Sequence, residues 1–413
     1  MADISKIVRE AAVKAQRETD SEPEGKLTGE CKFPITCEVG GGLEGAIACG
    51  TSIGYVNGTK GWLVYRGYNC FDLAEQSNFE ETSYLLLFGK LPTAKELADF
   101  KKKLASYAPL PRAVVDVLSS LPTAKTHPMS ALRTGVSVLG MLDDSAEDTS
   151  VEAETEVAIK LIAQMGPLAG AIARLRQGQK PVAPDPSMSL AGNFLYTMTG
   201  QKPEADYERI MDVSLILHAD HGMNASTFTS MVVNSSLSDM YSSITAGIGS
   251  LKGPLHGGAN ERVLHDLDKI GSADNVDKWF AEARKAKRRV MGFGHRVYKA
   301  YDPRARILGP LADMMTQGTK HRTLYETAIK LDGVVCSQLG AEKKIFPNVD
   351  FYSGLVYRAM GIETAMFTPI FAVSRISGWC ARVLEYLAGN RIFRPRAIYT
   401  GPTKAEYVAV EKR

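Results

Sequence analysis

Apolar positions recur at helical spacing along most of this chain, and one early stretch breaks the rule. Ile4, Ile7, Val8, Ala11 and Ala15 line one face of a short lead helix. Residues 31–70 instead read as strand-like and turn-rich, with 53–56 and 62–65 flanking Asn57-Gly58. Both residues of that pair tolerate positive φ, so they predict a hairpin. From about residue 78 the helical pattern takes over. Thr93 and Glu96 are spaced as a capping box, and Leu97, Phe100 and Leu104 follow on one face. Further helices are expected over 130–142, 153–176, 188–199 and 206–218. Leu215, Ile216 and Leu217 make the last of these apolar on most sides, as a helix inside a large domain is. Gly253-Pro254, Gly257-Gly258, Gly292, Gly294, Pro303 and Gly309-Pro310 then punctuate the chain. Helical text resumes at 259–270, 275–289, 321–333 and 369–388, the last with Trp379, Val383, Leu384 and Leu387 on its inner face. The prediction is a mostly α-helical protein with a small β element near its start.

Bulk properties narrow the class without naming a function. A chain of 413 residues suggests two or three domains, or one large domain with an insertion. At 45% hydrophobic and 23% charged residues it can bury a large core without disulfides or metals. A net charge of +3 argues against a dedicated nucleic-acid binder. The six cysteines are scattered and none has CxxC spacing, so reduced thiols in an intracellular protein are expected. No apolar run reaches 18 residues, and the N-terminus carries Asp3, Glu10 and Glu18, unlike an acid-poor transit peptide. A cytoplasmic protein is the expectation.

Several motifs could carry chemistry, each with a plainer reading beside it. Gly40, Gly42 and Gly45 match GxGxxG, but a hairpin follows where a dinucleotide site needs a helix, so a glycine-rich turn is expected. His218 and His221 stand three apart at a helix end. They could pair on a metal, or one could be buried and the other substrate-facing. His256 precedes two glycines and a helical run, near a helix N-terminus where the dipole disfavours a positive imidazole. A neutral imidazole there can donate to a developing enolate, and a structural turn histidine is the alternative. His295 lies between Gly292-Phe-Gly294 and a run of cations, with Arg284 to Arg289 upstream and Lys299, Arg304 and Arg306 downstream. These form either a solvated basic helix or a cationic rim for a phosphate-bearing molecule. Asp350 sits among Phe346, Val349, Phe351 and Tyr352, a setting that suits either a general base or a helix cap.

Six segments in order resemble the citrate synthase family: HPM at 127–129, LILHADHGMNASTF at 215–228, GPLHGGANE at 253–261, GFGHRVYKAYDPRA at 292–305, FPNVDFYSG at 346–354 and RPRAIYTG at 394–401. The resemblance implies an all-α fold, with a large domain of residues 1–260 and 369–413 and a small domain of 261–368 closing over a cleft. It implies catalytic roles for His256, His295 and Asp350, and oxaloacetate or citrate contacts for His221, Arg304, Arg375 and Arg394. Arg394 would reach the neighbouring subunit's site. Val290, Gly292, Gly294, Lys299 and Asn348 would contact CoA. Oxaloacetate and acetyl-CoA would be substrates, with no metal, no further cofactor, no nucleic-acid partner and no membrane. A dimer would be the basic unit. A large N-terminal β-rich region, linked in some bacterial relatives to NADH control and hexamers, is not expected in the roughly 50 residues before the hairpin. The nearest rival is a 2-methylcitrate synthase using propionyl-CoA. Rivals of other classes are a helical metallohydrolase built on His218, His221 and His265, and a non-catalytic assembly protein.

Overall fold

The computed structural model describes residues 3–19 and 28–413. The lead helix α1 (Ile4–Glu18) is capped by Asp3, whose side chain accepts from the Lys6 amide, and it buries Ile4, Val8, Ala11 and Ala15. The strand-like text at 31–50 forms no strand; it runs exposed through a 3₁₀ turn at Gly41–Leu43. Its alternating side chains find no neighbouring strand, so propensity alone does not organise it.

The three-stranded antiparallel sheet comprises β1 (Gly54–Asn57), β2 (Trp62–Tyr65) and β3 (Tyr68–Asn69), in that order. Asn57 pairs with Trp62, so the hairpin loop is the four residues 58–61 rather than a two-residue Asn-Gly turn. The left-handed position falls on Gly61 (φ 69°).

Helices follow almost without interruption: α2 (Cys70–Gln76), α3 (Phe79–Phe88), α4 (Ala94–Tyr107), α5 (Arg112–Ser120), α6 (Pro128–Met141) and α7 (Val151–Arg176), then α8 (Leu190–Thr199), α9 (Ala205–His218), α10 (Ala225–Asn234) and α11 (Met240–Leu251). The expected capping box starts α4. On composition α7 is apolar enough to cross a membrane, but 83% of that window is buried inside the protein, as in a core helix. It packs against α4 and α8 and against α18 (Phe367–Leu387), whose residues from Phe367 through Leu384 are all buried.

Between these lie α12 (Ala259–Ile270), α13 (Val276–Lys285), α14 (Pro303–Thr316), α15 (Arg322–Val335), a π-helical stretch at 336–340 leading into the single turn α16 (Ala341–Lys343), and α17 (Val349–Ala359). α14 packs on α17 and α12 on α17. Two expectations fail here for visible reasons. The helix expected to 289 stops at Lys285, because Lys287 turns left-handed and the Arg288 amide folds back to the Ala283 carbonyl. Gly309-Pro310 does not break α14, which continues through both. A Cβ on Gly309 would already touch the Tyr352 ring at 3.5 Å, so the seat against α17 outweighs the bond lost at Pro310.

Candidate active site

The site is built where the end of α9, the loop before α14 and the middle of α18 meet. Asp220, just past α9, is fully buried and takes both Nε (3.0 Å) and Nη2 (2.7 Å) of Arg382. The Tyr65 hydroxyl donates to the Asp220 carbonyl. This clamp fixes the turn that presents His221. The His221 ring lies 5.0 Å from that of His295 and 5.3 Å from that of Tyr298. Burial and the nearby Arg304 hold His221 well below the usual histidine range, so it is neutral, and its Nε2 is buried with no protein partner. His218 turns elsewhere: its Nδ1 bonds the Ser214 carbonyl at 2.7 Å. His265 is exposed on α12, so the three histidines of the metallohydrolase reading do not converge.

His295 lies in a loop without regular structure. Its Nδ1 accepts from the amides of Val297 (3.0 Å) and Tyr298 (3.2 Å), which leaves the ring proton on Nε2. Burial and Arg304 push its pKa down to about 4. Arg304, in the first turn of α14, is 2% exposed and gripped by Asp302 through Nε (3.0 Å) and Nη2 (2.7 Å). Asp302 also caps α14 and accepts from the Val349 amide, so one carboxylate ties Arg304 to the start of α17.

Asn348 is the cap of α17, leaving Asp350 as its second residue rather than the cap itself. Burial raises the Asp350 carboxyl to about 7, opposed by Arg304 and Arg375, and its Oδ1 is buried without a partner. Arg375, 1% exposed on α18, donates from Nε to the His218 carbonyl at 2.6 Å. Its guanidinium lies 4.7 Å over the Phe371 ring, and both Nη atoms are buried with no partner. Desolvation lowers its pKa to about 10. His256 lies 6.3 Å from the same Phe371 ring. The Ser226 amide, at the start of α10, points at its Nε2 (3.3 Å), and the Ser226 hydroxyl lies at 2.8 Å. An amide aimed at Nε2 makes it the acceptor and leaves the proton on Nδ1. Burial, with Arg375 and His295 nearby, depresses His256 to about 4.

Thus His221, His256, His295, Arg304, Asp350 and Arg375 share one region, with His221, Arg304 and Arg375 buried and His256, His295 and Asp350 half-buried. Arg394 does not join them: it is exposed on the extended tail after α18. Beside the cluster is a cavity of about 490 Å³ lined by Val290, Gly294, His295 and Lys299 together with Arg284, Arg288, Arg289 and Arg296. Gly292 and Asn348 stand behind this wall. The Asn348 amide donates to the Gly292 carbonyl and its side chain to the Gly294 carbonyl, each at 2.9 Å. The space a Cβ would need at Gly292 is filled by Val263 and Phe351, so this glycine serves packing. The Gly40–Gly45 stretch makes a turn with no helix behind it. A second cavity of about 500 Å³, between α4, α7 and α8, is lined by none of the cluster residues.

Ser226, Tyr298, Asp302 and Asp220 are partners that sequence reasoning missed. Only Asp302-Pro303 carried a local signal, as a cap followed by proline at the first helical position.

The family model described as citrate synthase, C-terminal domain, matches residues 42–396. A citrate synthase of Deinococcus radiodurans is 46% identical over 372 residues, which is 90% of this chain and 98% of the relative. A 2-methylcitrate synthase of Shewanella oneidensis is 39% identical over 376 residues, 91% of this chain and 98% of the relative. Among solved structures, a citrate synthase of Thermoplasma acidophilum, in ternary complex with carboxymethyl coenzyme A and oxaloacetate, matches with a TM-score of 0.87 at 36% identity, covering 92% of this chain and 100% of that one. The chain belongs to the citrate synthase family.

Proposed function

We propose that this protein condenses acetyl-CoA with oxaloacetate and hydrolyses the resulting thioester to citrate and CoA. One observation carries the reading: Asp350 Oδ1, His221 Nε2 and both Nη atoms of Arg375 are buried without partners in one region. Buried polar groups normally find partners, so a polar ligand is the natural complement.

The difficult step is taking a proton from the methyl carbon of a thioester. Asp350, made more basic by burial, removes it while the Nδ1–H of His256 donates to the thioester oxygen. The enol carbon attacks the ketone of oxaloacetate, whose oxygen receives a hydrogen bond from the Nε2–H of His295. Arg304 and Arg375 bind the carboxylates through planar forks, and His221 donates to the same substrate. Water then cleaves the citryl thioester. Acetyl-CoA is a substrate, and this route calls on no further cofactor or metal. Val290, Gly292, Gly294, Lys299 and Asn348 form or support the CoA site, whose phosphates suit the arginines of the adjoining cavity.

Residues 261–368 act as a small domain closing on a large domain of 1–260 and 369–413. The functional unit is a dimer in which Arg394 enters the partner's site. The exposed tail supports this, since Ile398 (91% exposed) and Tyr407 (84%) lie uncovered on it. Six free cysteines fit a reducing cytoplasm.

Asp350→Ala and His256→Ala are each expected to fold and to lose at least about 10²-fold in kcat, measured by CoA release. Near-normal turnover in either would defeat the assignment. The relative named 2-methylcitrate synthase favours propionyl-CoA as a second reading. One methylene is worth only about 1–3 kcal/mol, so the ratio of kcat/KM for the two thioesters decides between them.

A further inference from the structure

We infer that Gly58, at the tip of the β1–β2 hairpin, is a positioning residue for His295 and acts through Val297. The inference rests on the reading of His295 given above. Residues 295–301 contain no helix or strand. Among the described residues, the one backbone–backbone hydrogen bond they make is from the Lys299 amide to the Gly58 carbonyl, at 2.8 Å. The hairpin tip therefore supplies the loop's external backbone support, while the Tyr301 hydroxyl anchors its far end on Asp332 at 2.8 Å.

The contact leaves no room for a side chain. A Cβ on Gly58 would lie 2.3 Å from the Val297 carbonyl oxygen, 2.9 Å from its carbon and 3.0 Å from Cγ1. On Gly61, at the other side of the tip, it would lie 2.6 Å from the Tyr301 carbonyl oxygen. Gly58 has no left-handed φ, so its requirement for glycine is spatial and alanine suits its backbone.

Val297 links the tip to the imidazole. Its amide and that of Tyr298 are the two donors on His295 Nδ1, and they keep the ring proton on Nε2. Relieving the clash would displace Val297 by about 1 Å, which loosens this grip and rotates the ring or its tautomer out of register. A misplacement of that size costs about 10²-fold in rate.

The test compares Gly58→Ala with Thr59→Ala, whose exposed side chain is a neighbouring control. Full-length proteins would be assayed for CoA release, checked by circular dichroism and thermal melting, and examined by ¹⁵N NMR of labelled histidines. Gly58→Ala is expected to fold normally, to lose about 10²-fold in kcat and to show a changed protonation pattern on the His295 nitrogens. Thr59→Ala should match wild type. A folded Gly58→Ala with wild-type kcat and an unchanged His295 spectrum overturns the inference. So does a chain that fails to fold, because Gly58 would then serve the hairpin rather than the imidazole. An inactive wild type would defeat the functional reading alone, and the spectra would still test the coupling.

Discussion

Asp350→Asn should abolish turnover and make the protein more stable. Burial raises the Asp350 carboxyl from the ordinary 3.8 to about 7. At 1.36 kcal/mol per tenfold change in proton affinity, that rise corresponds to about 4 kcal/mol favouring the neutral form on folding. The residue keeps some contact with solvent, so about 2 kcal/mol is the sounder expectation. The folded chain holds this proton more tightly than the unfolded chain. Ionised Asp350 therefore costs stability above pH 7; the cost fades as pH falls through 7 and is gone below about 3.8. Asparagine has nearly the same shape and no charge to desolvate. At pH 8 the variant should melt a few degrees above wild type, and at pH 5 the gap should narrow. Paired thermal melts at the two pH values, with CoA release as the activity assay, measure both effects. An Asp350→Asn protein that melts at or below wild type at pH 8 would refute the claim that this carboxylate is held against its own desolvation.

Two further outcomes follow from neighbouring groups. Arg375→Leu removes a buried cation whose Nη atoms lack partners, so the ligand-free protein should melt no lower than wild type. Its KM for oxaloacetate should rise by about 10–10²-fold, as expected from losing charged hydrogen bonds of about 1.5–3 kcal/mol; steady-state kinetics and a thermal melt check both. Ser226→Ala removes the hydroxyl 2.8 Å from His256 Nε2 and leaves the Trp379 indole N–H without its 3.1 Å acceptor. Turnover should fall about tenfold with little change in either KM, because the fixed amide of residue 226 still marks Nε2 as acceptor.

Local rules read the helices well and the site unevenly. The Thr93–Glu96 capping box and the α8 and α9 boundaries were legible because caps and apolar faces are local signals. The extended 31–50 segment was not, because its β-like alternation needs a neighbouring strand that no local rule supplies. Pro310 misled for a similar reason: the seat of Gly309 against Tyr352 is a tertiary fact. His256, His295 and Asp350 were conspicuous in glycine-rich or aromatic settings, yet nothing local brought residues so far apart in sequence together. Ser226 carried no local signal, in a segment where no helix was expected. Its importance lies in facing His256 and Trp379, which meet it only in the folded core.

Desolvation acts on every group of this site and pushes acids and bases in opposite directions. It keeps His256 and His295 neutral, with pKa values near 4, and makes Asp350 a stronger base. Arginine cannot neutralise in the same way. Arg304 is balanced by Asp302, whereas Arg375 stands with free Nη atoms, and both lower the proton affinity of Asp350. A bound dicarboxylate would offset both fields. Asp350 would then be a stronger base with oxaloacetate in place than in the free protein, which ties proton abstraction to the presence of the ketone that consumes the enol. The acid limb of kcat/KM for oxaloacetate, which reports the free protein, should lie near pH 7. The limb of kcat/KM for acetyl-CoA at saturating oxaloacetate should lie higher. Coincident limbs, or the reverse order, would mean that the arginine fields do not reach the base.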